Sequence, residues 1–409
     1  MLEYIVAVML AILHALAVQF TYKKVPDEYM DEIFHVNQTR VFCSGDFATW
    51  NPKITTPPAL YLLAAPFFCG VERFTNTLLA PVTFLVVHRL RSQLFPKSFA
   101  ITDSLAIVTL PVLLHSSLLF YTDLLSVATV LTGFLFGLNH RNLLSTVFFA
   151  FAVLTRQTNI VWAFVFGIET LIEGYRRSQP IRSLIQATTR LWSLILLGAG
   201  FAAFVFVNKG VVLGDRSAHE PKFHCMQVLY ASAFITFSVF PHFLSHLPGL
   251  LRHVVSHPVR QIMFLVPIVF AIYFTSMDHP YLLADNRHIT FYVWQRFFQR
   301  HELLKYVYAP VYLCMVTFLL KSVRLIPRHV VLLATLASSA VLIPAHLLEP
   351  RYFIIPYVVF RIGIKTPHRW IVILEILWNV IVGAAVLYLF YFRPFEWPSE
   401  PGVNQRFMW

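Results

Sequence analysis

Residues 103–138 read DSLAIVTLPVLLHSSLLFYTDLLSVATVLTGFLFGL. Two apolar runs, 103–120 and 122–138, meet at Tyr121-Thr122-Asp123. Crossing about 30 Å of hydrocarbon takes about 20 apolar residues, so each run is close to a membrane span. Further runs fall at 4–21, 74–90, 143–154, 158–172, 191–208, 225–241, 261–276, 306–320, 329–347, 352–362 and 370–392. Several are shorter than an untilted crossing, so we expect about 11 to 13 spans. Residues 58–70 are apolar too, but they follow Thr56-Pro57, which disfavours continuous helix and predicts an interfacial or broken one. The opening run, Leu2 to Phe20, has neither a basic leader nor a small-residue cleavage site, and reads as a retained first helix.

Composition points the same way. Of 409 residues, 57% are hydrophobic and 13% are charged, half the roughly 25% charge that soluble domains carry. The expectation is an all-α polytopic membrane protein forming one domain over residues 1–409. The net charge of +12 would suggest nucleic acid in a soluble chain, but here the charges lie between apolar runs and a topological bias explains them better. With a cytosolic N-terminus, the connections 88–102, 139–142, 173–190, 242–260, 321–329 and 361–369 hold 16 Lys or Arg and one acid, Glu173. That is the direction the positive-inside rule demands. Cys43, Cys69, Cys225 and Cys314 lack C-x-x-C spacing; their order gives no connectivity, and Cys43 and Cys69 would pair only in an oxidising lumen.

Under this topology the polar clusters fall on the non-cytosolic side. They centre on Asp31, Glu32 and His35; Asp123; Arg156 and Gln157; Asp215 and Arg216; Asp285, Asn286, Arg287 and His288; and Glu349 and Arg351. Ionisable groups near a bilayer centre cost about 2.5–3.5 kcal/mol on insertion scales, so they line cavities or pair with each other. Asp31 and His35 share a face if their segment is helical. Asp123 suits a helix N-cap as well as a ligand contact. Arg156 interrupts an apolar stretch and needs water, a phosphate or a carboxylate. Glu349 and Arg351 are two apart and do not pair along a helix. His242, His246, His253 and His257 tempt a zinc reading, but H-E-x-x-H is absent, and Pro241, Pro248 and Pro258 should break that segment. Neither a D-x-D pair, a G-x-x-x-x-G-K-[ST] loop nor G-x-G-x-x-G is found, which argues against soluble nucleotide ligands. No metal or cofactor is expected.

An acidic pair after the first helix, with arginines on the same face, suits transfer of a group from a lipid phosphate to a hydroxyl. A carboxylate serves as base, and guanidinium groups hold the leaving phosphate. Tyr29-Met30-Asp31-Glu32-Ile33-Phe34-His35, Trp50-Asn51-Pro52-Lys53-Ile54-Thr55-Thr56-Pro57-Pro58, Gly214-Asp215-Arg216-Ser217, the string from His279 to His288 and Glu349-Pro350-Arg351-Tyr352-Phe353 carry a resemblance. The chain resembles the dolichyl-phosphate-glucose-dependent α-1,2-glucosyltransferases of the endoplasmic reticulum. The resemblance implies a type C glycosyltransferase-like bundle with a lumenal active-site cavity. It also implies dolichyl-phosphate glucose as donor, Glc2Man9GlcNAc2-PP-dolichol as acceptor and inversion in one displacement. Asp31 would then be the base, with Glu32 and His35 beside it, and Arg156, Arg287 and Arg351 are equal candidates for the phosphate. A dolichol-linked mannosyltransferase is the nearest alternative. A secondary transporter should show two similar halves, which are not visible here, and a noncatalytic membrane partner would leave the convergence of clusters accidental.

Overall fold

In the computed structural model, which describes residues 1–96, 99–215, 221–277, 279 and 284–409, each of the apolar runs lies on helix. In order these helices are α1 (Leu2–Lys24), α2 (Glu32–Cys43), α3 (Ala59–Ala64), α4 (Thr75–Leu94), α5 (Ala100–Val108), α6 (Pro111–Leu118) and α7 (Asp123–Leu138). They continue with α8 (Asn142–Val153), α9 (Ile160–Gly174), α10 (Pro180–Arg190), α11 (Trp192–Asn208), α12 (Met226–Ser238), α13 (Phe240–Ser256) and α14 (Pro258–Thr275). The last are α15 (Ile289–Val293), α16 (Leu304–Ser322), α17 (Arg328–Leu342), α18 (Ile354–Gly363) and α19 (Arg369–Phe392). A hairpin follows, β1 (Phe395–Trp397) with β2 (Glu400–Gln405), antiparallel.

Among the described residues, α1, α14, α16 and α19 each suffice by length and apolarity to cross a bilayer, and up to seven spans result if the bent pairs α5–α6 (61°), α10–α11 (68°) and α12–α13 (103°) count as one each. The remaining runs expected to cross lie on shorter helices such as α7, α8 and α17. On α1, Ile5, Val8, Met9, Ile12, Leu13 and Leu16 are all more than half exposed, an apolar face that hydrocarbon covers and water does not. Residues 58–70 break as the prolines predict: α3 lasts six residues.

The prolines of the histidine-rich segment behave differently from expectation. Pro241 and Pro258 stand in the first turns of α13 and α14, where the missing N–H has no intrahelical acceptor to lose, and Pro248 lies inside α13 without ending it. Cys43 and Cys69 are joined in a disulfide, although their spacing gave no ground for pairing. The reason is tertiary, because α2 and α3 pack together and bring the two Cα atoms to 6.2 Å.

The chain divides into two compact units, one of Met1–Gln93, Ser116–Ala218 and Leu332–Ala337, the other of Leu94–His115, His219–Val331 and Ser338–Trp409. The first is built round α7, buried from Asp123 through Gly133 and packed on α8 and α9. Gly137 lets these helices approach, since a Cβ there would stand 2.3 Å from Cε2 of Phe166. The second has an aromatic core that includes Tyr230, Ile272, Trp294, Tyr312 and Phe353.

Beside that core lies a buried ionic cluster. Arg361 donates through Nη2 to Asp103 (2.9 Å) and Glu375 (2.7 Å), and His242 Nε2 lies 2.9 Å from Glu375. All four residues have 0% exposure. Residues 242 and 361 open two of the segments expected to be connections, yet here their side chains are buried, and the cluster stitches α5, α13, α18 and α19 together.

Candidate active site

Asp31 is set by the turn before it. Met30 adopts φ 56°, a left-handed conformation uncommon outside glycine, and turns the chain so that Asp31 caps α2. Phe34 and His35 donate their backbone N–H groups to the Asp31 carbonyl (3.0 and 3.2 Å). The segment is therefore helical, with Asp31 and His35 one turn apart, as the spacing predicts, and Asp31 is half-buried.

Glu32 faces the other way and has 0% exposure. Arg73 donates to both of its oxygens, Nε to Oε1 and Nη2 to Oε2, each at 2.7 Å. The backbone N–H groups of Phe120 (2.8 Å) and Tyr29 (3.1 Å) complete the set. Glu32, expected among the substrate contacts, thus holds the Asp31 turn, with both of its oxygens engaged within the protein. Arg73 also donates to the carbonyls of Val25 (2.7 Å) and Asp27 (2.9 Å) and stacks on Tyr22, 4.7 Å from the ring centre. One buried guanidinium thereby ties the end of α1, the Asp31 turn and the start of α4. Nothing in its local sequence marks Arg73.

His35 is buried behind Asp31, its Nδ1 2.7 Å from the Tyr61 hydroxyl. Tyr121 and Trp50 complete an aromatic wall, the His35 and Tyr121 rings 6.1 Å apart and those of Trp50 and Tyr61 5.8 Å apart. Burial, with the Asp31 carboxylate adding to it, pushes the Tyr61 phenol well above its ordinary value, so it stays protonated.

The strip from Trp50 to Pro58 is a scaffold. Gln38 accepts from the Asn51 N–H and donates to the Thr49 carbonyl, both at 2.8 Å. Gln157 donates to the Thr55 carbonyl (2.8 Å), and the Asp215 N–H donates to the Pro52 carbonyl (2.7 Å). Gly214 sits at φ 57°, and a Cβ on it would meet the Pro52 oxygen at 2.2 Å, so only glycine lets this loop lie on the strip. Arg156 donates through Nε to Thr122 Oγ1 and through Nη2 to Asp123 Oδ1, both 2.9 Å. Arg156 finds a carboxylate, and Asp123 serves an ion pair. The Arg156 side chain is 20% exposed. The first unit therefore holds Asp31, Glu32, His35, Asp123, Arg156, Gln157 and Asp215.

The second unit holds the remaining described candidates. Arg287 donates to Asp285 through Nε (2.8 Å) and Nη2 (2.7 Å). Burial opposes ionisation of Asp285, but the Arg287 hydrogen bonds and the neighbouring His288 hold its carboxyl below the ordinary value. Asn286 accepts from the Trp397 indole N–H (2.7 Å), and His288 Nδ1 lies 2.7 Å from the Trp409 carbonyl. Glu349 and Arg351 form an ion pair, and, as their spacing requires, not along a helix: Glu349 is extended and a 3-10 turn starts at Pro350, which folds Arg351 back. Arg216 and residues 280–283 lie outside the described residues. Among the described residues, no group of three or more His, Cys, Asp or Glu is placed to hold a metal ion.

Two segments, 25–180 and 168–362, match the pattern of the DIE2/ALG10 family. A Homo sapiens protein named Dol-P-Glc:Glc(2)Man(9)GlcNAc(2)-PP-Dol alpha-1,2-glucosyltransferase is 33% identical, the alignment covering 94% of this chain and 93% of that protein. Proteins of the same name from Drosophila melanogaster (30% identical, 94% of each chain) and Arabidopsis thaliana (29%, 94% of this chain and 95% of that one) are similar over the same extent. No solved structure matches. The matched segments include the Asp31 turn, the Trp50–Pro58 scaffold, the Asp285–His288 motif and the Glu349–Arg351 pair, and the chain belongs to the DIE2/ALG10 family.

Proposed function

We propose that this protein transfers glucose from dolichyl-phosphate glucose to Glc2Man9GlcNAc2-PP-dolichol in α-1,2 linkage, at the lumenal side of the endoplasmic reticulum membrane. The observation that carries the reading is identity to enzymes of that name along nearly the whole of both chains. Asp31 acts as general base, taking the proton of the attacking acceptor hydroxyl, a role that typically contributes about 10²- to 10⁴-fold. The hydroxyl oxygen bonds to the glucosyl C1 as the C1–O bond to phosphate breaks, which inverts the anomeric centre. The electron pair leaves on dolichyl phosphate. Positive charge stabilises that oxygen as it develops, and in the first unit Arg156, beside Asp123, supplies it. His35, fixed by Tyr61, and the aromatic wall orient the sugar. Asp285–His288 and Glu349–Arg351 bind the dolichyl-linked substrates, as does Gln157. One displacement needs one base, the role given to Asp31.

Microsomes carrying this protein, supplied with the Glc2 acceptor and radiolabelled donor, test the reading. Transfer from dolichyl-phosphate glucose and none from dolichyl-phosphate mannose is expected. Transfer from the mannose donor instead would move the function to a dolichol-linked mannosyltransferase.

A further inference from the structure

The motif from Asp285 to His288 is held by a segment more than 100 residues away in the chain. The hairpin β1–β2 and the residues after it lie beyond residue 362, where the family match ends, yet they supply partners to Asn286, Arg287 and His288. The Trp397 indole donates to Asn286 Oδ1 at 2.7 Å, and its ring lies under the Arg287 guanidinium at 4.6 Å. Gln405, 3% exposed, accepts from Arg287 Nη1 (3.2 Å). Beyond β2 the backbone itself joins: the Met408 N–H donates to the Arg287 carbonyl (2.8 Å) and the Ile289 N–H to the Met408 carbonyl (2.9 Å). Phe407 packs against Phe395 at 4.8 Å and against Tyr292 of α15 at 5.8 Å, which fixes this strap to both sides of the motif.

Arg287 is thereby orientated from three directions, by the Asp285 carboxylate, the Gln405 amide and the indole face. A guanidinium that must aim its remaining N–H groups at a phosphate loses affinity when its plane is free to turn. An aromatic face beneath it restrains that plane while leaving its charge intact. We infer that the strap of residues 395–409 positions Arg287 for a dolichyl-linked phosphate, with Trp397 and Gln405 as positioning residues. This rests on the reading that Asp285–His288 contacts such a substrate. The phosphate belongs either to the donor, a monophosphate ester, or to the acceptor, a pyrophosphate, and steady-state kinetics on each substrate separates the two.

The test uses the full chain in microsomes and compares wild type with Trp397→Ala, Trp397→Phe, Gln405→Ala and Arg287→Ala. Trp397→Ala should raise KM for one dolichyl substrate roughly tenfold, with kcat and the other KM near wild type; restraint by an aromatic face is of about that size. Gln405→Ala should raise the same KM by a smaller factor. Trp397→Phe, which keeps a ring face, should recover most of the loss, an outcome that a general folding defect would not give. If Trp397→Ala and Gln405→Ala leave both KM values unchanged while Arg287→Ala raises one, the strap has no positioning role and the substrate reading of Arg287 stands. An equal fall in protein level and kcat in both Trp397 variants also overturns the proposal. If Arg287→Ala itself is silent, the motif is not a substrate contact and the underlying reading falls first.

Discussion

Arg73 reaches Glu32 across 41 positions of sequence, and the placement of Asp31 depends on that reach. Both partners are buried, so removing one leaves a charge without compensation. Glu32→Ala should cost about 3–5 kcal/mol, seen as a large fall in the melting temperature of the detergent-purified protein; an unchanged melting temperature would contradict the role given to the pair. Asp285 makes a prediction about pH. Its folded value lies below the ordinary one, so its ion pair with Arg287 is complete at any pH above the usual carboxylate range, about 3.9. It is lost only as pH falls through the depressed value. KM for the dolichyl substrate that Arg287 contacts should therefore stay flat as pH is lowered from neutrality to about 5, and a rise beginning near neutrality would show that another group titrates. At this scale, Asp31, His35 and Arg156 were legible because each is an ionisable residue beside or inside an apolar run, where its cost demands a purpose. Glu32 was legible as unusual but not in its role, because adjacency to Asp31 says nothing about which way a side chain faces.

The helices were readable because an apolar run of span length has few other folds open to it, and the break at residues 58–70 followed from proline chemistry. What joins elements was not readable. The Cys43–Cys69 bridge, the contact of Arg361 with Asp103 across 258 positions and the strap over Arg287 all arise from packing between segments remote in sequence, and no local pattern encodes them. Two substitutions test the element scale. Cys43→Ser opens a loop with a sequence separation of 26, which should cost on the order of 3 kcal/mol by loop entropy, measured by thermal melting without reductant. Gly137→Ala drives a methyl into Phe166 at the α7–α9 contact and should cost about 1–3 kcal/mol. Wild-type stability for either would mean that its contact is not formed.

Over the whole molecule, transfer at the lumenal face requires one sidedness. Backbone hydrogen bonds join Met408 to Arg287 and Ile289, so the segment after α19 shares a side with the Asp285–His288 motif, and the proposal puts that side in the lumen. Glycosylation acceptor sites engineered after Pro398 should be modified, and sites engineered between Arg176 and Gln179 should not; the reverse pattern would invert the topology. Transfer itself turns on a single proton, the one that Asp31 takes. Asp31→Asn preserves the size and nearly the shape of the side chain but removes the base. Microsomes containing equal amounts of wild-type and variant protein, given radiolabelled dolichyl-phosphate glucose and the Glc2 acceptor, measure it directly. The account predicts that the variant still binds donor but transfers no glucose, and wild-type transfer by Asp31→Asn would contradict it.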